Sequence, residues 1–176
     1  DGTGRFEVAA ILETGIGAMG VSAADYDGDG DLDLYVVSAG YELSENDPLL
    51  QDRLYTNDGK GNFKKTSALP KMLGSGKSIA AGDFDKDGDL DLVVGGNVVS
   101  KSYPLALGSY LLENQKGIFK DITPANQDLE AIGMVSDALF TDYDSDGDLD
   151  LMVIGEWMGP TFFDNTNGRF KRSEKT

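Results

Sequence analysis

The feature that most constrains this chain is an aspartate-rich stretch of eleven residues that occurs three times, at 24–34, 82–92 and 141–151. In the first copy, residues 25–33 read Asp-Tyr-Asp-Gly-Asp-Gly-Asp-Leu-Asp; the second copy differs from it at two positions and the third at one. The first aspartates, Asp25, Asp83 and Asp142, are 58 and 59 residues apart. A constant period of this length is typical of repeated supersecondary units that stack on one another. The sequence therefore predicts three copies of one structural unit.

A second mark follows each copy: an asparagine, a glycine-containing turn and a phenylalanine, at 57–63, 114–119 and 165–170. Near the start of the chain, residues 4–6 match residues 168–170. We therefore expect the chain to open with the last strand of a preceding unit and to be an excerpt of a longer protein. The predicted organisation is an outer strand and link at 1–14, followed by units at 15–70, 71–128 and 129–176.

Each unit is expected to contain four strands. A strand of small apolar residues precedes the aspartate loop, a second strand follows it, and a glycine turn joins the third strand to the fourth. The second strand is apolar on both faces in the first unit, at 34–37, whereas a half-exposed strand would alternate with polar residues. This pattern favours an all-β fold, in which three four-stranded antiparallel repeats of about 58 residues are blades of a larger β-propeller.

The aspartates of the loop are spaced like the oxygen ligands of a hard cation. Positions 1, 3, 5 and 9 of the first loop are Asp25, Asp27, Asp29 and Asp33. A glycine holds position 6, where a sharp turn is needed, and the residue at position 7 would offer its backbone carbonyl. Ca²⁺ accepts such an oxygen-rich set more readily than Mg²⁺, which demands a strict octahedron and keeps its waters. The sequence therefore predicts three calcium sites.

The fifteen candidate ligands are the aspartates of the three loops: Asp25, Asp27, Asp29, Asp31, Asp33, Asp83, Asp85, Asp87, Asp89, Asp91, Asp142, Asp144, Asp146, Asp148 and Asp150. The loop is not an EF-hand, because position 12 holds apolar residues such as Val36 and Val94 and the flanks are strands. The alternative is an acidic, solvated turn without a metal. Carboxylates packed this closely repel one another unless a cation neutralises them, and three copies in one register favour the metal.

Composition excludes several classes of function. The net charge of −16 argues against a nucleic-acid partner, which needs a basic face. The loops carry 15 of the 31 acidic residues, so the rest of the chain is nearly neutral. Because the chain has no cysteine or histidine, disulfides, thiolate sites and the usual general base are excluded. No apolar run is long enough to span a membrane.

Residues 20–34 and their two sister segments resemble the FG-GAP/VCBS repeat family, the calcium-binding blades of integrin α-subunit propellers and of many bacterial secreted proteins. Residues 119–124 resemble the bacterial branch, whose blades often occur in surface and periplasmic proteins. The resemblance covers nearly the whole chain and implies calcium ligation by the aspartates of all three loops. Family propellers close with about seven blades, and propellers generally with four to eight, so other propeller segments, another copy or another chain are candidate partners.

A ligand face is expected at the end of the blades opposite to the aspartate loops. Connections in an antiparallel blade alternate between ends, and the longest ones, at 40–52 and 97–108, share this second end. They carry Tyr41 and Tyr103, and the third unit places Trp157 at the equivalent point. These aromatic residues are candidate contacts for a protein or carbohydrate partner. The alternative is that each packs only against its own loop.

Three functions fit these observations, the third being a purely structural spacer within a larger surface complex. The first is a calcium-stabilised binding or scaffold module of an extracellular, cell-surface or periplasmic protein, since weak calcium sites fill only where calcium is near millimolar. The second is one sector of a calcium-dependent propeller lyase or hydrolase acting on polysaccharide. An enzyme without histidine would need carboxylates as acid and base, and Glu156 and Asp137 are the candidates.

Overall fold

The computed structural model describes residues 8, 11–12 and 17–174. The described residues contain three short 3₁₀ turns, at Pro48–Leu50, Thr123–Ala125 and Gln127–Leu129. None of their helical segments is long and apolar enough to cross a bilayer. The strands in chain order are β1 (Ala18–Ala24), β2 (Asp33–Ser38), β3 (Arg53–Asn57), β4 (Phe63–Lys65), β5 (Gly76–Gly82), β6 (Asp91–Gly96), β7 (Tyr110–Gln115), β8 (Ile118–Asp121), β9 (Met134–Thr141), β10 (Asp150–Glu156), β11 (Met158–Thr166) and β12 (Arg169–Arg172).

The strands form three antiparallel sheets of four, in the orders β1-β2-β3-β4, β5-β6-β7-β8 and β9-β10-β11-β12. Every neighbouring pair within a sheet is consecutive in the chain, so each sheet is a simple meander. This is the architecture of propeller blades, and the predicted all-β fold is confirmed. The sheets are not closed into a ring. The predicted unit boundaries stay a prediction, and the strand expected at residues 1–14 lies largely outside the described residues.

The register of each sheet places the aspartate loop in the same way. The last residue of the first strand pairs with the ninth residue of the loop: Ala24 with Asp33, Gly82 with Asp91 and Thr141 with Asp150. The loop is therefore the connection of a β-hairpin whose ends are held by the ladder. At the far side of each blade, an asparagine of the third strand pairs with a phenylalanine of the fourth: Asn57 with Phe63, Asn114 with Phe119 and Asn165 with Phe170.

The blades stack face to face through two apolar cores. The core between the first and second blades contains Tyr26, Tyr35, Val37, Leu54, Met72, Leu92, Val94, Leu112 and Phe119. The core between the second and third contains Phe84, Val93, Leu111, Leu129, Val135, Phe140, Leu151, Val153, Phe163 and Phe170. Full burial of one such side chain contributes about 1.5–3 kcal/mol, so these two interfaces are a major source of the fold's stability.

Strand β6 shows why the second strands are apolar on both sides. All six of its residues are buried, with Leu92 and Val94 in one core and Val93 in the other. The outer blades differ, because each has a neighbouring blade on one side only among the described residues. Val21 in β1 is 65% exposed, and Leu139 in β9 is 52% exposed. Two-sided burial therefore depends on a blade's position in the stack as well as on its sequence.

Candidate metal centres

The first aspartate loop is shaped by hydrogen bonds from its own backbone. Asp25 Oδ1 accepts from the N–H groups of Gly28 and Asp29 at 2.8 and 3.1 Å, and its Oδ2 accepts from Gly30 at 2.9 Å. The loop can close this tightly because Gly30 has a φ of +95°, a left-handed conformation that suits glycine. Gly88 and Gly147 hold the same place at +98° and +94°. The sharp turn predicted at position 6 is therefore present in each loop.

Each loop brings three carboxylates together. One oxygen from each member of a set lies within 4.8 Å of the other two. The sets are Asp25, Asp27 and Asp29; Asp83, Asp85 and Asp91; and Asp142, Asp144 and Asp146. Hard oxygen donors gathered at this separation are the ligand type that Ca²⁺ uses. Nine of the fifteen candidate ligands therefore converge into clusters of the right chemistry, and the assignment of all fifteen stays a prediction.

A carboxylate oxygen in the second loop indicates that its residues fit a cation. Asp83 Oδ1 is buried and has no hydrogen-bond partner among the described residues. A buried polar atom without a partner costs about 1–3 kcal/mol. A cation bound in the second loop would coordinate this oxygen and remove this cost.

The aspartates at position 9 also have a second role. Asp33, Asp91 and Asp150 are buried, unlike most of the loop. Asp91 Oδ2 accepts from the N–H of Phe84 at 3.1 Å and its Oδ1 from the N–H of Asn114 at 2.8 Å. Asp33 makes the same pair of bonds, to Tyr26 and Asn57, at 3.0 Å each. Position 9 therefore fastens the loop to the third strand of its own blade.

The aspartates at position 7 direct their side chains elsewhere. Asp89 Oδ2 accepts from the N–H of Lys116 at 2.8 Å, and Asp148 forms an ion pair with Lys86 of the preceding loop. The predicted cation ligand at position 7 is the backbone carbonyl oxygen, and these side-chain contacts do not use that oxygen.

Burial and mutual repulsion raise the pKa of several loop carboxyls. The pKa of Asp91 is raised to about 7, chiefly by burial and also by the charges of Asp85 and Asp87, against the lowering effect of its two backbone hydrogen bonds. Burial, followed by the charges of Asp33, Asp29 and Asp25, raises the pKa of Asp27. Burial and neighbouring aspartates raise that of Asp150 as well. Each loop therefore contains a carboxyl that resists ionisation without a compensating cation.

The asparagines of the third strands have a structural role that was not predicted from the sequence. Asn114 Nδ2 donates to the carbonyl of Leu90 in its own loop at 3.1 Å and to the carbonyl of Tyr26 in the preceding blade's loop at 2.9 Å. Asn165 repeats this arrangement with Leu149 at 2.9 Å and Phe84 at 2.8 Å. The signal was visible in the sequence, because an asparagine recurs at this point of every unit.

At the opposite end of the blades, two of the three predicted aromatic residues meet. Trp157 is 85% exposed, and its Nε1 donates to the Tyr103 hydroxyl at 3.0 Å. The two residues belong to different blades. Tyr41, the third, is exposed on the long connection of the first blade. Their role as partner contacts stays a prediction.

The meander sheets, their face-to-face stacking and the acidic hairpin loops together define this chain as a set of β-propeller blades with a potential cation site in each blade. A family model described as FG-GAP-like repeat matches residues 1–36 and 37–94, just over half of the chain. The chain belongs to this FG-GAP-like repeat family. The matched residues include the first two aspartate loops, and the third copy repeats them beyond the match. A comparison with curated proteins gave no significant match.

Proposed function

We propose that each of the three aspartate loops binds one Ca²⁺ and that the chain is a calcium-stabilised propeller module of a secreted or surface protein. The observation that carries the proposal is the convergence of three carboxylates in every loop, within 4.8 Å. The buried Oδ1 of Asp83, which has no hydrogen-bond partner among the described residues, supports it from within the fold. Flexible coordination by many oxygens favours Ca²⁺ over Mg²⁺ at such loops.

The proposed role of the ions is structural. Every loop joins the first two strands of a blade, so an ion bound there would stabilise the connection between these two strands. If free calcium exceeds the dissociation constant 100-fold, one site adds about 2.7 kcal/mol to the free energy of unfolding. Three such sites would supply much of a typical domain stability of about 5–15 kcal/mol. A fold that relies on these ions suits an extracellular, cell-surface or periplasmic location, where calcium is abundant, in bacteria as the sequence resemblance suggests.

The end opposite to the calcium loops is the proposed partner face. Trp157 and Tyr103 form an exposed aromatic pair, and Glu156 lies beside them in an ion pair with Lys77 at 2.9 Å. Exposed aromatic residues beside charged groups suit recognition of a protein or a carbohydrate. An enzymatic role has weaker support, because the two candidate carboxylates, Glu156 and Asp137, line different cavities.

Calcium binding is tested by isothermal titration and thermal unfolding. We expect three Ca²⁺ per chain and a rise in the unfolding midpoint from EDTA to millimolar calcium, with a much smaller rise in magnesium. The double variant Asp25→Asn/Asp27→Asn should bind two ions, and the exposed Glu42→Gln, which keeps all loops, should bind three. A midpoint that does not respond to calcium would show that the loops are acidic turns.

The partner face is tested by screening the calcium-loaded protein against polysaccharide and protein arrays. Any ligand found should lose affinity with Trp157→Ala, by tenfold or more if Trp157 acts as a hot spot worth about 2 kcal/mol. Ile118→Ala is the matched control, because Ile118 is 66% exposed at the calcium end. Equal losses in both variants would contradict the assignment of the face.

A further inference from the structure

We propose that Asn114 and Asn165 couple neighbouring metal loops, so that a cation bound in one blade raises the affinity of the loop in the adjacent blade. The inference rests on the proposed calcium function and adds a regulatory property to it. It follows from hydrogen bonds that occur at both junctions between blades.

Asn114 is connected to both loops at once. Its backbone N–H donates to Asp91, at position 9 of the second loop, at 2.8 Å. Its side-chain amide donates to the carbonyl of Tyr26, at position 2 of the first loop, at 2.9 Å. That carbonyl belongs to the peptide group that leads directly into Asp27, a member of the first carboxylate cluster. One fully buried residue therefore contacts an acid of the second site and the peptide group that precedes an acid of the first.

Asn165 makes the same connection between the second and third loops. Its backbone N–H donates to Asp150 at 2.9 Å, and its amide donates to the carbonyl of Phe84 at 2.8 Å. The carbonyl of Phe84 precedes Asp85, again a member of a cluster. Repetition at two independent junctions indicates a property of the repeat unit rather than an accident of one contact.

Both donor hydrogens of the amide are used at each junction. The two hydrogens of Asn114 Nδ2 serve Leu90 in its own loop and Tyr26 in the neighbouring loop, and its Oδ1 accepts from the N–H of Gly117 at 2.8 Å. The side chain therefore cannot rotate without breaking a buried hydrogen bond, which is unfavourable because a buried donor or acceptor then loses its partner. A side chain fixed in this way restricts the motion of the peptide groups to which it is hydrogen-bonded.

Coupling follows because both loops share the cost of ordering this residue. A cation that fixes Asp91 also fixes the backbone of Asn114, and with it the amide that holds the peptide before Asp27. The first loop is then partly ordered before its own cation arrives, so it loses less conformational entropy on binding. Linkage makes the effect reciprocal, and the first loop raises the affinity of the second by the same factor.

Asn57 provides an internal control. It occupies the equivalent position in the first blade, where its N–H bonds to Asp33, its amide to Leu32 and its Oδ1 to the N–H of Gly61. These are the contacts that every one of the three asparagines makes with its own blade. Asn57 has no contact with a preceding loop among the described residues. Replacing Asn57 therefore reports the local role alone.

The experiment measures a coupling factor between the first two loops by calcium titration. The third loop is silenced with Asp142→Asn/Asp144→Asn throughout. Adding Asp83→Asn/Asp85→Asn leaves only the first loop, and adding Asp25→Asn/Asp27→Asn instead leaves only the second. The coupling factor is the product of the two association constants in the two-loop protein divided by the product of the constants of the single-loop proteins. We expect a factor of about five or more.

Substitution of the asparagines then identifies the coupling residue. Asn114→Ala should reduce the factor to about one, whereas Asn57→Ala should weaken the first loop and leave the factor unchanged. Asn114→Asp is a second variant that keeps an acceptor for Gly117 but cannot donate to Tyr26, and it should also abolish coupling; Asn57→Asp is its charge-matched control. Circular dichroism verifies that each variant is folded.

The outcomes are distinguishable. A factor of one before any asparagine is replaced, or a factor that survives both Asn114 variants, would overturn the coupling while leaving three calcium sites in place. Absence of calcium binding in the unmodified chain would instead remove the proposed function and this inference together.

Discussion

Asp52 is a buried acid that lies away from the aspartate loops and stabilises the first blade through two hydrogen bonds. Its Oδ1 accepts from the N–H of Ser38 at 2.7 Å and its Oδ2 from the Tyr35 hydroxyl at 2.9 Å. Burial raises its pKa from 3.8 to about 7, although the hydrogen bonds and the charge of Arg53 act in the opposite direction. The folded chain therefore keeps a proton at this carboxyl over a pH range in which the unfolded chain has released it.

The raised pKa predicts a pH dependence of stability with a definite sign. Because the folded form binds the proton more tightly, its contribution is complete below pH 3.8 and is lost as pH rises toward 7. Between pH 5.5 and 7.5 we expect a loss of about 2 kcal/mol in the free energy of unfolding. Asp52→Asn mimics the protonated acid and should remove this loss. Denaturant unfolding in excess calcium measures the difference, and an equal slope in both proteins would contradict the assignment.

Individual residues of the metal centres could be predicted from the sequence only in part. The spacing of Asp25, Asp27 and Asp29 identified a cluster because ligands of one loop are local in sequence. The bond between Asn114 and Tyr26 spans 88 residues, so the recurring asparagine could be seen in the sequence but its partner could not. The same holds for Asp52, whose burial depends on the packing of the first blade against the second. Local spacing identifies candidate ligands, whereas tertiary packing determines their charge and connections.

At the scale of elements, the strands followed from sequence pattern because the four-stranded meander is local. The predicted order of four strands in each unit was confirmed, and the loop always connects the first two strands of a sheet. The meeting of Trp157 and Tyr103 was not predictable, since it depends on how two blades are placed side by side. Close approaches between backbone segments likewise cannot be predicted from the sequence pattern.

Gly96, at the end of β6, is such a close approach. A Cβ built there would lie 2.4 Å from the carbonyl oxygens of both Leu107 and Gly108. Backbone atoms cannot rotate away as a side chain can, so Gly96→Ala should lower the free energy of unfolding by about 1–3 kcal/mol. Gly159→Ala is the matched control, because nothing lies within 4 Å of its Cβ position, and it should change stability by about 0.5 kcal/mol or less. Equal effects in denaturant unfolding would argue against the close approach.

At the scale of the whole molecule, charge is concentrated rather than spread. The chain carries a net charge of −16, and the loops hold 15 of its 31 acidic residues. All three loops connect the first and second strands of their blades, so the charge gathers at one end of the stack. Two unit charges about 4 Å apart in water repel by about 1 kcal/mol, and each cluster contains three such pairs. Without calcium, carboxylate repulsion at this end of the molecule should therefore be the main electrostatic destabilisation of the folded state.

This charge distribution predicts that salt stabilises the protein selectively when calcium is absent. Raising ionic strength from about 0.1 to 1 M shortens the screening length from about 10 to 3 Å, which is less than the 4.8 Å limit of each carboxylate cluster. In EDTA we expect the free energy of unfolding to rise by about 1–3 kcal/mol. The rise is limited to this size because the unfolded chain keeps part of the same local repulsion. In excess calcium the rise should be much smaller, since the bound ions already neutralise the clusters.

Tetramethylammonium chloride should act like sodium chloride, because screening needs no entry into the loop. An equal response to salt with and without calcium would place the repulsion outside the loops.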